Sequence, residues 1–149
     1  LMQRKPGGYR KPTIKQREES RIGKEDFNRW FRQIWNITGA STKQHPAPFP
    51  MELANRLVRM FSFTGDTVLD PFCGSGTTMI AAFRTGRNSI GVEIDPEYCR
   101  MAARFLKAES ANLFSTAELR FEKIATETAN LISEDQALYE LRPAKKRLE

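Results

Sequence analysis

The sequence is poor in the side chains that bind metals and build covalent frameworks: one histidine and two cysteines, Cys73 and Cys99, in 149 residues. Two separated thiols and a lone imidazole do not make an ordinary four-ligand zinc site, and they exclude a disulfide scaffold of the secreted kind. Long apolar runs are missing as well. The longest, Met79 to Phe83, has five residues, whereas a membrane-crossing helix needs about twenty. The opening Leu-Met-Gln-Arg-Lys-Pro-Gly carries no apolar signal core. The expectation is a cytoplasmic protein with reduced thiols, no metal and no membrane attachment. No internal repeat is present.

What is present is charge, unevenly spread. Charged residues make up 28% of the chain and hydrophobic ones 40%, in keeping with one globular domain plus polar extensions. The net charge is +6, and residues 1–36 carry all of it, with ten Lys and Arg against four acids. That front segment mixes Pro6, Gly7, Gly8 and Pro12 with its cations, so residues 3–22 are expected to lack regular structure for most of their length. Residues 1–24 read either as a solvated linker or as a nucleic-acid arm. In the second reading Lys5, Arg10, Lys11, Lys15 and Arg17 contact DNA phosphates and Tyr9 is available to stack.

A domain is expected over residues 25–142, followed by a basic tail at 143–149. Phe27, Trp30, Phe31, Ile34 and Trp35 have helical spacing over Glu25 to Trp35, chiefly as a packing face. Pro46, Pro48 and Pro50 hold the next segment extended. Pro50 then opens a helix with Leu53, Leu57, Val58, Met60 and Phe61 inward and Arg56 and Arg59 outward. Beyond residue 95, Pro96 and Glu97 begin another helix, and Ala117, Leu119 and Phe121 alternate with charges as a strand. Ile124 to Leu141 has helical spacing.

The informative stretch is Thr67 to Asp95. A short apolar run ends on Asp70, a glycine-bearing turn follows, and helical spacing runs from Thr77 to Arg84. Gly86 stops that helix, and Asn88 to Glu93 forms a second strand ending on an acid. Gly74 and Gly76 let the turn take positive φ and let a ligand approach its backbone, so the amides of Ser75, Gly76 and Thr77 are expected to face that ligand. Glu93 lies 17 positions beyond Gly76, where a β-α-β nucleoside cradle places a carboxylate for ribose hydroxyls. A phosphate loop would need Lys where Thr77 stands, and a dinucleotide loop a third Gly where Met79 stands. Asp70 would repel a pyrophosphate and attract a cationic amino-acid group. S-adenosylmethionine carries such a group together with an adenosine.

Asp70-Pro71-Phe72-Cys73-Gly74-Ser75-Gly76-Thr77-Thr78, followed by Gly91-Val92-Glu93-Ile94-Asp95-Pro96-Glu97-Tyr98, resembles the cofactor motifs of the DNA amino-methyltransferases, which act on N6 of adenine or N4 of cytosine. His45-Pro46-Ala47-Pro48-Phe49-Pro50, just upstream, resembles the second cofactor segment of their circularly permuted, β-type members. The resemblance covers residues 36–105. It implies an α/β fold, a partial Rossmann-like S-adenosylmethionine-dependent methyltransferase with a mostly parallel, three-layer sheet of about three strands. It also implies a cofactor site made by Ser41, Thr42, His45, Phe49, Asp70, Pro71, Phe72, Gly74, Ser75, Gly76, Thr77, Glu93, Ile94 and Asp95.

Phe49 stands where the family often has Lys. The Asp or Ser followed by Pro-Pro and an aromatic, which such enzymes use on the flipped base, is absent from this sequence, so no catalytic residue is assigned. The chain therefore reads as the C-terminal half of a methyltransferase, with double-stranded DNA and the missing half, a partner subunit or a second copy as partners. The competing readings are a methyltransferase acting on RNA or protein and a non-catalytic nucleic-acid-binding module. Cys73 has no partner base in the sequence and reads as filling for the loop.

Overall fold

The computed structural model describes residues 7, 8, 10–39, 49–111, 117–124 and 136–143. Its front segment holds one short helix, and the other described residues up to 22 are irregular, as its prolines and glycines predict. Helix α1 (Ile14–Glu19) begins at Thr13, whose hydroxyl accepts the Gln16 N–H while the Gln16 side chain accepts the Thr13 N–H. This reciprocal box supplies partners for two amides that a helix start leaves open. Helix α2 (Lys24–Trp30) stops five residues short of Trp35. The Trp35 indole N–H donates to the Trp30 carbonyl at 2.6 Å, taking an acceptor that a longer helix would use for itself.

Helix α3 (Met51–Phe61) has Pro50 as its N-cap, one position earlier than the expected first turn. Its arginines are not outward. Arg56 is 4% exposed, paired with Glu52 and 5.5 Å from the centre of the Trp35 ring. Arg59 lies 4.8 Å from the Trp30 ring centre and 3.8 Å from Asp26. The segment 24–35 covers the side of α3 that charge alone assigns to solvent, and its indole faces accept the guanidinium groups. Leu57 and Phe61, expected inside, are 36% and 56% exposed instead.

Strand β1 (Thr67–Asp70) leads through the 71–76 loop to helix α4 (Thr77–Arg84), and strand β2 (Asn88–Glu93) returns beside it. β1 and β2 are parallel, Thr67 opposite Asn88 and Asp70 opposite Gly91, as a β-α-β crossover requires. Helix α5 (Pro96–Ser110) starts at Asp95, whose carboxylate accepts the Glu97 N–H, and Pro96 occupies its first turn. Strand β3 (Ala117–Ile124) lies where its alternation predicts.

Strand β4 (Gln136–Pro143) corrects the expected helix over 124–141. It runs antiparallel to both β2 and β3, giving the order β1-β2-β4-β3. Apolar spacing in this stretch fits a helix equally well, but the open edges of β2 and β3 offer two rows of unpaired N–H and C=O groups that only a strand satisfies. The class is α/β, and among the described residues parallel pairing is confined to β1 and β2.

α4 is the centre of the core. Met79 and Ile80 join Cys73, Cys99, Ala102 and Leu106, while Ala81 and Ala82 join Ala54 and Val58. The helices lie on one side of the β1–β2 pair. Val68, Ser89 and Gly91 face them, and the alternate residues Leu69, Ile90 and Val92 face the other way. Among the described residues no helix covers Leu69, which is 62% exposed; the expected third layer is not among them.

Candidate functional site

Asp70 and Glu93 end adjacent parallel strands, and the 71–76 loop lies against both exits. The Cys73 N–H donates to the Val92 carbonyl at 3.0 Å, and the Gly74 N–H to Glu93 Oε2 at 2.8 Å. Glu93 Oε1 accepts the amides of Ile94 and Asp95, both at 2.9 Å. Asp70 Oδ1 accepts the Phe72 N–H at 3.1 Å, closing a turn around Pro71. Both carboxylates therefore shape the backbone before any ligand arrives. Gly76, at φ 85, permits the abrupt start of α4. Its amide bonds the Cys73 carbonyl at 2.8 Å and does not face a ligand as expected, because the loop closes on itself as a turn.

A cavity of about 390 Å³ opens over this loop, lined by Phe49, Asp70, Phe72, Cys73, Gly74, Ser75, Thr77 and Thr78. That size suits a small-molecule ligand. Six of the expected residues thus converge on one space. Glu93, Ile94 and Asp95 are tied to it through the Glu93–Gly74 bond. Ser41, Thr42 and His45 lie outside the described residues. Thr78 was missed, although its place in the first turn of a helix that starts at the loop is a usable signal.

Cys73 is 6% exposed, and its thiol is pushed up to about 12 by burial first, then by the negative charges of Glu93 and Asp70. A thiol protonated at neutral pH is no nucleophile. Among the described residues no group of three or more His, Cys, Asp or Glu could hold a metal ion, and no helix is long and apolar enough to cross a membrane.

A second cavity, about 310 Å³, adjoins the first at Phe49 and Thr78 and is otherwise lined mainly by apolar side chains such as Leu57, Val58, Phe61 and Val68. It lies along β1, which among the described residues is paired on its β2 side only.

The basic arm goes elsewhere. Arg10 is paired with Asp66, the Gln16 side-chain amide donates to the Thr64 carbonyl at 3.0 Å, and the hydroxyls of Ser20 and Thr64 are 3.2 Å apart. These contacts sit at the foot of β1, whereas the glycine loop leaves its head, roughly 13 Å away along four residues of strand. The structure does not bring Arg10 to the cavity; Lys11, Lys15 and Arg17 are exposed on the docked arm, and Lys5 and Tyr9 lie outside the described residues. Buried Arg87 fastens the same corner, donating to the Ser62 carbonyl at 2.8 Å and to the Thr85 carbonyl. Burial and the nearby Arg59 lower its pKa, against a smaller opposing effect of Asp66.

A β-α-β unit with a small-molecule cavity above a glycine loop and acids at both strand exits is an α/β arrangement with its candidate ligand site at the carboxyl ends of the parallel strands. The sequence pattern of the DNA methylase family, the N6/N4 methyltransferases, matches residues 3–104. The chain belongs to that family.

It is 53% identical over 91 residues to the type II methyltransferase M.MjaI of Methanocaldococcus jannaschii, covering 57% of this chain and 30% of that protein. It is 48% identical over 92 residues to M.MthZI of Methanothermobacter thermautotrophicus, covering 56% and 26%. Among solved structures it resembles one described as a DNA modification methylase of Thermus thermophilus, complexed with S-adenosyl-L-methionine. The TM-score is 0.68 and the identity 58%, over 76% of this chain and 44% of that one. The fold is thus that of a partial methyltransferase. The chain spans less than half the length of each of these relatives.

Proposed function

We propose that this chain is the S-adenosyl-L-methionine-binding part of a DNA methyltransferase that methylates the exocyclic amino group of adenine or cytosine. The observation that carries the reading is the Glu93-braced glycine loop with Asp70 beside it at the mouth of a nucleoside-sized cavity. The donor set fits that cofactor. In this reading Glu93 accepts ribose hydroxyls, Ile94 borders the adenine, and Asp70 with the amides of Ser75 and Thr77 receives the amino-acid end. Phe49 supplies an apolar wall, and Ser41, Thr42 and His45 complete the set. When bound, the cofactor supplies an electrophilic methyl group; this chain contributes binding and orientation.

The rest of the enzyme would complete the reaction room. The edge of β1 and the face of Leu69, both uncovered among the described residues, and the apolar cavity beside α3 support a reading in which the missing half adds a strand and an apolar layer there. Double-stranded DNA is the proposed substrate. Lys5, Arg10, Lys11, Lys15 and Arg17 remain the proposed phosphate contacts, Arg10 from an exposed ion pair with Asp66.

Calorimetric titration with S-adenosylhomocysteine tests the cofactor reading, and the expected result is saturable one-to-one binding. Absence of binding would defeat it. Labelled-methyl transfer to DNA, RNA and protein, with the upstream half supplied in trans, distinguishes the substrates. Label is expected on DNA only when both halves are present.

A further inference from the structure

The glycine loop is held from above by hydrogen bonds, and the floor beneath it is equally specific. Gly91, in the middle of β2, is buried under the loop. A Cβ built on it would overlap the Met79 Sδ and lie 3.0 Å from both the Cβ and the Sγ of Cys73. Gly91 has no positive φ, so nothing in its backbone calls for glycine. The requirement comes from what lies on it. The next residue, Val92, takes the Cys73 amide, and Glu93 takes the Gly74 amide. The loop can reach these two acceptors only while Cys73 rests directly on the β2 backbone.

We infer that Gly91 is a positioning residue for the cofactor loop: the missing side chain sets how deep Cys73 seats, and thereby where Gly74, Ser75 and Glu93 meet the ligand. The inference rests on the proposed cofactor reading for its binding consequence, though not for its structural one. A methyl group at this position pushes in two directions. The Met79 side chain is unbranched and can bend away. The Cys73 Cβ is fixed to the loop backbone, so the loop must lift, lengthening the Cys73–Val92 and Gly74–Glu93 bonds. Relief of the 3.0 Å contacts to Cys73 lifts the loop by a few tenths of an ångström, a fraction of the roughly 1 Å misplacement that costs on the order of a hundredfold in function.

Amide hydrogen exchange and calorimetry on the purified protein test this together, comparing wild type, G91A, and the double variant G91A/M79A. In G91A the Cys73 and Gly74 amides are expected to lose protection while the β1–β2 ladder keeps its own. Affinity for S-adenosylhomocysteine is expected to fall severalfold, up to about tenfold, at a temperature where the variant is fully folded. In the double variant the Cys73 contact is unchanged, so the Cys73 and Gly74 amides should stay as unprotected, and the affinity as low, as in G91A.

A G91A protein with unchanged protection of these two amides and unchanged affinity would overturn the inference. So would a uniform loss of protection across the whole β1–β2 ladder, or a G91A/M79A protein restored to wild-type protection and affinity, because either would place the constraint in core packing around Met79 and not in the seating of the loop. If wild type binds no S-adenosylhomocysteine, the cofactor reading fails. The exchange comparison still decides the role of Gly91 in seating the loop.

Discussion

On the helix side of the β1–β2 pair, Ser89 is fully buried and Gly91 lies beneath Cys73 and Met79. On the other side Leu69 is 62% exposed, with Ile90 and Val92 sharing its face. The same two strands thus carry one surface packed closely enough to exclude a methyl group and one open to solvent. Apolar side chains gain roughly 25 cal/mol for each Å² removed from water, so Leu69 and Phe61 contribute little in this chain by itself. The closed side holds what a ligand loop needs, namely a fixed depth and a fixed direction. The open side is where a further piece of protein would find its own stabilisation.

Replacing Met79, which is fully buried, tests the closed side most severely. Met79→Ala is expected to cost about 2–5 kcal/mol of folding stability, read from denaturant midpoints at constant slope. Next comes Glu93→Ala, expected to weaken S-adenosylhomocysteine by roughly 1.5–3 kcal/mol, some tenfold to a hundredfold, with Glu93→Gln intermediate. An unchanged calorimetric constant would remove Glu93 from the site.

A smaller effect is expected at the surface pair of Arg84 with Glu109, where two bonds of 2.7 and 2.8 Å hold the Glu109 carboxyl below its usual range. A depressed carboxylate pKa stabilises the fold above the unfolded value and loses that contribution as pH falls through the folded one. Glu109→Gln should therefore remove at most about 1 kcal/mol near neutrality, and nothing at a pH where the carboxyl is already protonated. Least affected is Leu69→Ser, within about 0.5 kcal/mol for this chain alone, while co-purification with the upstream half proposed above is expected to fail. Strong destabilisation by L69S would mean that the open side is already closed.

Much of the closed side was legible in the sequence because its determinants are local. The strand-turn-helix over 67–84 needs only β-branched residues, two glycines and a helical period, and both acids fall at strand ends by simple counting. The structure then added what counting cannot show: Glu93 is bound to three amides, and Gly76 turns its own amide inward. Features that depend on distant contacts were misread. Arg56 is a charge in a sequence pattern but lies under Trp35 because residues 24–35 fold back along α3. The helical spacing of 124–141 yielded to the two strand edges beside it. The ion pair of Arg10 with Asp66, a residue 56 positions away, is likewise a contact that no local pattern shows.

The Glu93 carboxylate has further consequences for kinetics. Because three backbone N–H groups already converge on it, the bend between the strands is preorganised, and its ordering entropy was lost during folding and not at the moment of encounter. Stopped-flow mixing should then show a single concentration-dependent phase, without a slow isomerisation following capture.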